Sequence, residues 1–159
     1  MNSWIVAVEA VDSPDARLLR RDYYAEVASR YLHRPLTAGE IDQGLAGDGA
    51  ELLVAPSGRF VVGRYAGEPA ACAGYLVLDD ERAELTRVYV RPAARGHGGA
   101  DLLLTMLEAH AREQGLREIV LNTRLDLVEA RALYRRHGYA EIPAYCTGPY
   151  MEIWYGKRL

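Results

Sequence analysis

The residues of this chain best suited to chemistry form a short glycine-rich run, Arg95-Gly96-His97-Gly98-Gly99-Ala100. It stands between a strand-like stretch and a helix-like stretch, so backbone N–H groups and a helix N-terminus converge on one concavity that favours an anion. The chemistry indicated is phosphate binding. No Lys-Ser or Lys-Thr follows the glycines, which excludes a nucleoside-triphosphate P-loop. Asp101 stands where a dinucleotide fingerprint starting at Gly96 would place its third glycine. The same residues also suit a plain glycine-rich turn into a helix, so the loop alone leaves both readings open.

Other reactive side chains add little as clusters. His33, His97, His110 and His137 form no spaced constellation and are read as non-catalytic, with His97 serving the loop through its backbone. Cys72 and Cys146 lie in unlike contexts, with no Cys-x-x-Cys and no Cys/His group, so neither a disulfide framework nor a metal site is expected.

The elements that must position the loop follow from periodicity and caps. Trp4 to Val11 reads as a strand, and Ser13-Pro14-Asp15 opens a helix with an N-cap, a proline at its first position and an acid in its first turn. Leu19, Tyr23, Val27 and Tyr31 recur at helical spacing, with Arg17, Arg20, Arg21, Glu26 and Arg30 on the polar side. Thr37-Ala38-Gly39-Glu40 is a capping box for a short second helix that Gly44 to Gly49 ends. Three strand-like runs follow, Phe60 to Tyr65, Ala71 to Leu78 and Glu84 to Val90, and their short connections predict an antiparallel meander. A helix is expected from about Gly98 to Gln114, with Glu108 and Arg112 paired and Gly115 at its C-terminus. Ile119 to Asn122 then completes a βαβ unit with the third strand, which makes those two strands parallel. Asp126-x-x-Glu129 is expected to cap a further helix ending at His137-Gly138, and the tail from Tyr139 to Leu159 reads as extended. The fold class is α/β (α+β mixed), with a central mixed, mostly antiparallel sheet flanked by helices. Residues 1–159 are expected to form a single domain. Asn122 ends its strand at the carboxyl edge where such sheets place ligands, and it suits a ligand contact or a strand-end turn equally.

Three motifs in order carry a family resemblance. Arg95-x-x-Gly98-x-Ala100 resembles the acyl-CoA pyrophosphate loop of the GNAT N-acetyltransferase superfamily. Glu84-Leu85-x-Arg87-Val88-Tyr89-Val90-x-Pro92 is similar to its central strand, and Ala130-x-x-Leu133-Tyr134-x-x-x-Gly138-Tyr139 to its downstream helix. The family often has Asn seven residues before the helix tyrosine, where this chain has Leu127.

The resemblance implies acetyl-CoA as co-substrate. Its pantetheine arm would run along Val88, Tyr89 and Val90, and its pyrophosphate would sit over Arg95, Gly96, His97, Gly98, Gly99 and Ala100. The activity implied is N-acetyl transfer to an amine. Presenting an amine with a pKa of about 10.4 unprotonated at neutral pH costs about 4 kcal/mol, so a base is useful. Glu84 is the candidate for that base, directly or through water, and a solvent-facing carboxylate beside Arg82 or Arg87 is its plain alternative. Tyr134, on a helix that the resemblance packs near the thioester, is the candidate acid for the departing thiolate, with core packing beside Leu133 as the alternative. Arg135 and Arg136 either reach the nucleotide phosphate or form a solvated face.

Acceptor specificity is assigned to the first two helices and the tail, which bring Tyr23, Tyr24, Tyr31, Tyr145, Tyr150 and Trp154. A small-molecule primary amine is the first acceptor class, and a protein lysine or N-terminal amine the second. A non-catalytic acyl-CoA-binding regulatory module and an interaction domain without a small ligand are the rival classes. A formal net charge of -3, with 26% charged residues, offers no general attraction to nucleic acid or anionic lipid. No stretch is long and apolar enough to span a membrane and no secretory leader is evident, so a cytoplasmic location is expected. Tyr150, Ile153, Trp154 and Tyr155 in one short run suggest a homodimer through the tail.

Overall fold

The structure, a computed structural model, describes residues 3–159. The chain begins with β1 (Trp4–Val8), α1 (Pro14–Leu32) and α2 (Ala38–Leu45). Ser13 Oγ accepts from the Ala16 N–H to start α1, and Thr37 and Glu40 form a reciprocal capping box at α2. The meander is β2 (Gly58–Tyr65), β3 (Glu68–Val77) and β4 (Arg82–Val90). Then come α3 (Gly99–Glu113), β5 (Glu118–Thr123), α4 (Val128–Arg136), β6 (Ala140–Glu141) and β7 (Ile153–Arg158). The seven strands form one sheet in the order β1-β2-β3-β4-β5-β7-β6. Among the described residues, only β4 and β5 pair in parallel. The first strand is therefore shorter than its apolar run, and the tail enters the sheet between β5 and β6.

Strand alternation divides the core into two layers. Val61, Ala71, Ala73, Leu85 and Leu121 face α3, where they pack with Leu103, Leu104 and Leu107. Phe60, Val62 and Cys72 face the other way, against Ala16 and Leu19 of α1. Each fully buried Leu or Phe contributes about 1.5–3 kcal/mol of transfer free energy, so this pair of layers fixes the sheet between the two helices.

Two local expectations are corrected. Glu108 does not pair with Arg112: it is buried and bonds Lys157 Nζ at 2.9 Å and the Tyr139 hydroxyl at 3.0 Å. It points into the seam between α3 and the tail, where an exposed intrahelical pair cannot form. Nor do Asp126 and Glu129 cap α4, whose N-cap position is Leu127, with no side-chain cap bond. Asp126 instead clasps the buried Arg124 through two bonds of 2.8 Å, and Glu129 reaches Arg30 of α1. Of the tail residues read as a dimer surface, Ile153 and Tyr155 are buried in the α3-side core and exposed Tyr150 packs edge-on against Tyr31 at 4.8 Å.

Candidate active site

A splayed pair of strands opens the site. The β4–β5 register runs Arg82↔Glu118, Ala83↔Ile119, Glu84↔Val120 and stops there, although β4 continues to Val90. Beyond Glu84 the β5-facing edge of β4 therefore keeps its N–H and C=O groups for another partner, which an amide-bearing arm can supply.

A bulge sets which way β4 presents its side chains. Thr86 pairs with Gly74 and Tyr89 with Cys72, so Arg87 and Val88 together oppose one residue of β3. Arg87 holds φ at 56°, uncommon for a side chain of this size. The extra residue reverses the alternation: Ala83 and Leu85 face the α3 side, and after the bulge Val88 and Val90 do, while Tyr89 turns to α1. Tyr89 is pushed up to about 12, mainly by burial and then by Asp22 and Glu26. Arg87 is held in its strained position by bonds to Asp48, through the backbone carbonyl at 2.7 Å and the carboxylate at 3.4 Å.

A cavity of about 640 Å³ lies in the splay, lined by β4 from Glu84 to Val90, the glycine loop, α1 and α4. Of the loop, Arg95, Gly96, Gly98, Gly99 and Ala100 line it. Gly96 and Gly98 have φ of 81° and 79°, which side chains rarely adopt, and nothing lies within 4 Å of a Cβ at either. Gly98 sits at the N-cap of α3 with no side chain over the helix end, leaving those N–H groups for an anion. Gly99 answers a different need, since a Cβ there would meet the Trp4 ring at 2.3 Å. His97 does not line the cavity. Its carbonyl accepts from Trp4 Nε1 at 3.0 Å and its ring stacks on Tyr65, which turns both away. Arg95 donates from Nε to the Val90 carbonyl and reaches Glu26 at 2.6 Å. Arg136 lines the cavity and pairs with Asp101 at 3.6 Å, whereas Arg135 does not line it.

The two proton-handling candidates, Glu84 and Tyr134, both line this cavity. Glu84 is half-buried, and its Oε2 accepts from Tyr145 Oη at 2.5 Å and Asn122 Nδ2 at 3.3 Å, so it is not a solvent-facing carboxylate beside Arg82 or Arg87. Tyr134 is buried yet lines the cavity, and its ring packs against Tyr139 and Tyr155. Burial raises its pKa, with a lesser push from Tyr23, so the phenol stays protonated and able to donate.

Two further cavities share lining residues with the first. One, about 440 Å³, is lined by Arg20, Asp48, Glu84, Arg87 and Met151 among others. The second, about 280 Å³, is walled by Tyr23, Tyr24, Tyr31 and Tyr150 with Val27 and Leu127. Tyr23 and Asn122 line all three spaces. Tyr145 faces Glu84 instead of the tyrosine-walled cavity, and Trp154 lines none of them.

A model described as the acetyltransferase (GNAT) family matches residues 16–139. The chain belongs to the GNAT acetyltransferase family. An IAA acetyltransferase from Azospirillum brasilense is 35% identical over 102 residues, covering 63% of this chain and 65% of that relative. The chain is thus matched to less than two thirds of that relative's length. Among solved structures, the PaiA N-acetyltransferase of Thermoplasma acidophilum, in complex with coenzyme A, superposes with TM-score 0.75 at 13% identity, covering 99% of both chains. A GNAT acetyltransferase from Elizabethkingia anophelis with acetyl-CoA bound gives 0.67 at 17% identity over 100% of both. These likenesses place the chain's fold among GNAT acyl-CoA N-acyltransferases.

Among the cavity residues that sequence reasoning left without a site role are Glu26 and Arg30, read as the polar side of α1, and Thr86 and Asp101. Glu26 and Arg30 stand seven and eleven positions after Leu19, so they lie on the sheet-facing stripe of α1 that Leu19 and Tyr23 define rather than on its solvent side. A signal did exist, since Tyr23 and Val27 share that stripe with Glu26 and Arg30.

Proposed function

We propose that the chain transfers an acetyl group from acetyl-CoA to a primary amine of a small molecule by direct attack. The observation that carries this is the joining of one cavity, floored by the unpaired edge of β4 and closed by the Gly96–Gly98 turns, to a side cavity that presents the Glu84 carboxylate. The residues fit the co-substrate. Val88, Tyr89 and Val90 offer backbone groups to pantetheine, and Gly96, Gly98 and the α3 N-terminus suit a pyrophosphate, with Arg95 adding positive charge. Gly99, Ala100 and Asn122 complete the lining, and His97 supplies only its place in the loop.

Glu84 takes a proton from the incoming ammonium and passes it to solvent, the neutral amine attacks the thioester carbonyl, and as the C–S bond breaks the nitrogen gives its second proton to Glu84 or to water. Tyr134 gives its proton to the departing thiolate and is reprotonated from solvent. The acetyl group leaves on nitrogen as an amide. General acid–base groups so placed supply about 10² to 10⁴ in rate. The tyrosine-walled cavity offers rings and aliphatic side chains to the stem of the acceptor, and Arg124 there is already committed to Asp126, Val27 and the Tyr31 ring. That favours a small, partly apolar amine over a lysine in a polypeptide, the alternative acceptor. Mass analysis of products from a panel of small amines and lysine peptides tests the choice. Acetylated small amines are expected, and acetylation confined to peptides would overturn it.

A further inference from the structure

Glu84 is held by a residue far from it in the chain. Tyr145, in the segment between β6 and β7 and 61 positions from Glu84, brings its hydroxyl to 2.5 Å from Oε2. Asn122 Nδ2 reaches the same oxygen at 3.3 Å from the end of β5. Both donors crowd one oxygen, and Oε1 has no hydrogen-bond partner among the described residues. The Tyr145 ring is itself fixed, with the Arg82 guanidinium 5.8 Å above its centre.

We infer that Tyr145 is a positioning residue: by holding Oε2 it fixes the rotation of the Glu84 carboxylate so that Oε1 is the oxygen offered to the acceptor amine. The inference rests on the proposed role of Glu84 as base. A carboxylate on an unbranched stem has two soft torsions beyond Cβ, and each alternative orientation presents a different lone pair to the acceptor. A short, charge-assisted bond from a phenol removes that freedom, which keeps the base within reach of the proton it must take. Burial and the Glu84 carboxylate both raise the pKa of Tyr145, so the phenol remains a donor through the neutral range. Tyr145 touches neither the 640 Å³ cavity nor the glycine loop, which separates its effect from co-substrate binding.

The test is a cycle of Tyr145→Phe, Glu84→Ala and the double variant, read by kcat with an acetylated amine, by acetyl-CoA affinity and by thermal melting. Tyr145→Phe is expected to lower kcat about tenfold, the value of a hydrogen bond to a charged group, with acetyl-CoA affinity unchanged. In the Glu84→Ala background it is expected to cost nothing further. An equal loss in both backgrounds, or no loss in either, would overturn the inference, since a merely structural tyrosine acts regardless of residue 84. Should the wild type acetylate no amine, the proposed function fails first and melting decides alone. Coupled melting shifts then keep Tyr145 as the residue that orients Glu84, and additive shifts remove it.

Discussion

Arg95 of the glycine loop bonds Glu26 of α1 at 2.6 Å, so the loop that faces the phosphate site is tethered by a carboxylate. The pair is well exposed, at 47% and 31% of the two side chains. Such a pair adds little stability, about 0.2–1 kcal/mol. Its larger consequence is local: Glu26 places a negative charge beside a site that is to take a polyanion. Glu26→Gln is expected to tighten acetyl-CoA binding about two- to fivefold, and Arg95→Ala to weaken it by a similar factor. Calorimetric titration at low salt measures both, and a weaker complex in Glu26→Gln would contradict the placement of the pyrophosphate.

Gly99 and Gly98 are expected to separate stability from binding. Gly99→Ala drives a methyl into the Trp4 ring, so its melting temperature falls. Gly98→Asp places a side chain at φ 79° in open space and puts a like charge on the anion site. It is expected to abolish acetyl-CoA binding with a smaller loss of melting temperature than a clash would cause. Equal behaviour of the two variants in melting and calorimetry would refute the distinction.

The buried Glu108 makes Lys157 a stability determinant. Removing the ammonium in Lys157→Met leaves a carboxylate, only 5% exposed, with the Tyr139 hydroxyl and His137 as its remaining neighbours. A loss of about 2–3 kcal/mol in chemical denaturation is expected. A neutral result would show that the α3–tail seam does not depend on the charge.

Alkaline stability follows from buried acids with raised pKa values. Cys72 is pushed from 9.0 up to about 12 by burial, and burial likewise raises Tyr23, Tyr75, Tyr89, Tyr134, Tyr139 and Tyr145 above 10.0. The folded state keeps these protons while the unfolded chain releases them. Their contribution is therefore complete below about pH 9 and is lost as pH rises toward 12. Melting temperature should fall steeply between pH 9 and pH 11, and Cys146 alone should react with a thiol reagent in the native protein near neutral pH. A flat melting curve over that window would contradict the burial of these groups.

Much of this was legible in residue order. The capping box at Thr37, the Ser13-Pro14 start and the Arg95–Ala100 loop announce themselves locally, because each is satisfied by neighbours a few positions away. What escaped are features set by distant partners. The bulge at Arg87–Val88 reverses the facing of β4 without changing its composition, and Arg87 accepts that geometry only because Asp48 holds it. The insertion of β7 between β5 and β6 buries Tyr155 and Ile153, residues equally suited by composition to an exposed interface. Glu108 looked like half of a helix-surface pair because its partners lie on the tail, beyond the reach of any i,i+4 rule.

The most direct test of the central claim is amine-dependent release of the CoA thiol, followed for the wild type and Tyr134→Phe with the same acceptor. The account predicts release that depends on both acetyl-CoA and amine and that falls about a hundredfold in the variant, while acetyl-CoA affinity is retained. Bound acetyl-CoA that releases no thiol with any amine would contradict acetyl transfer and leave a cofactor-binding module.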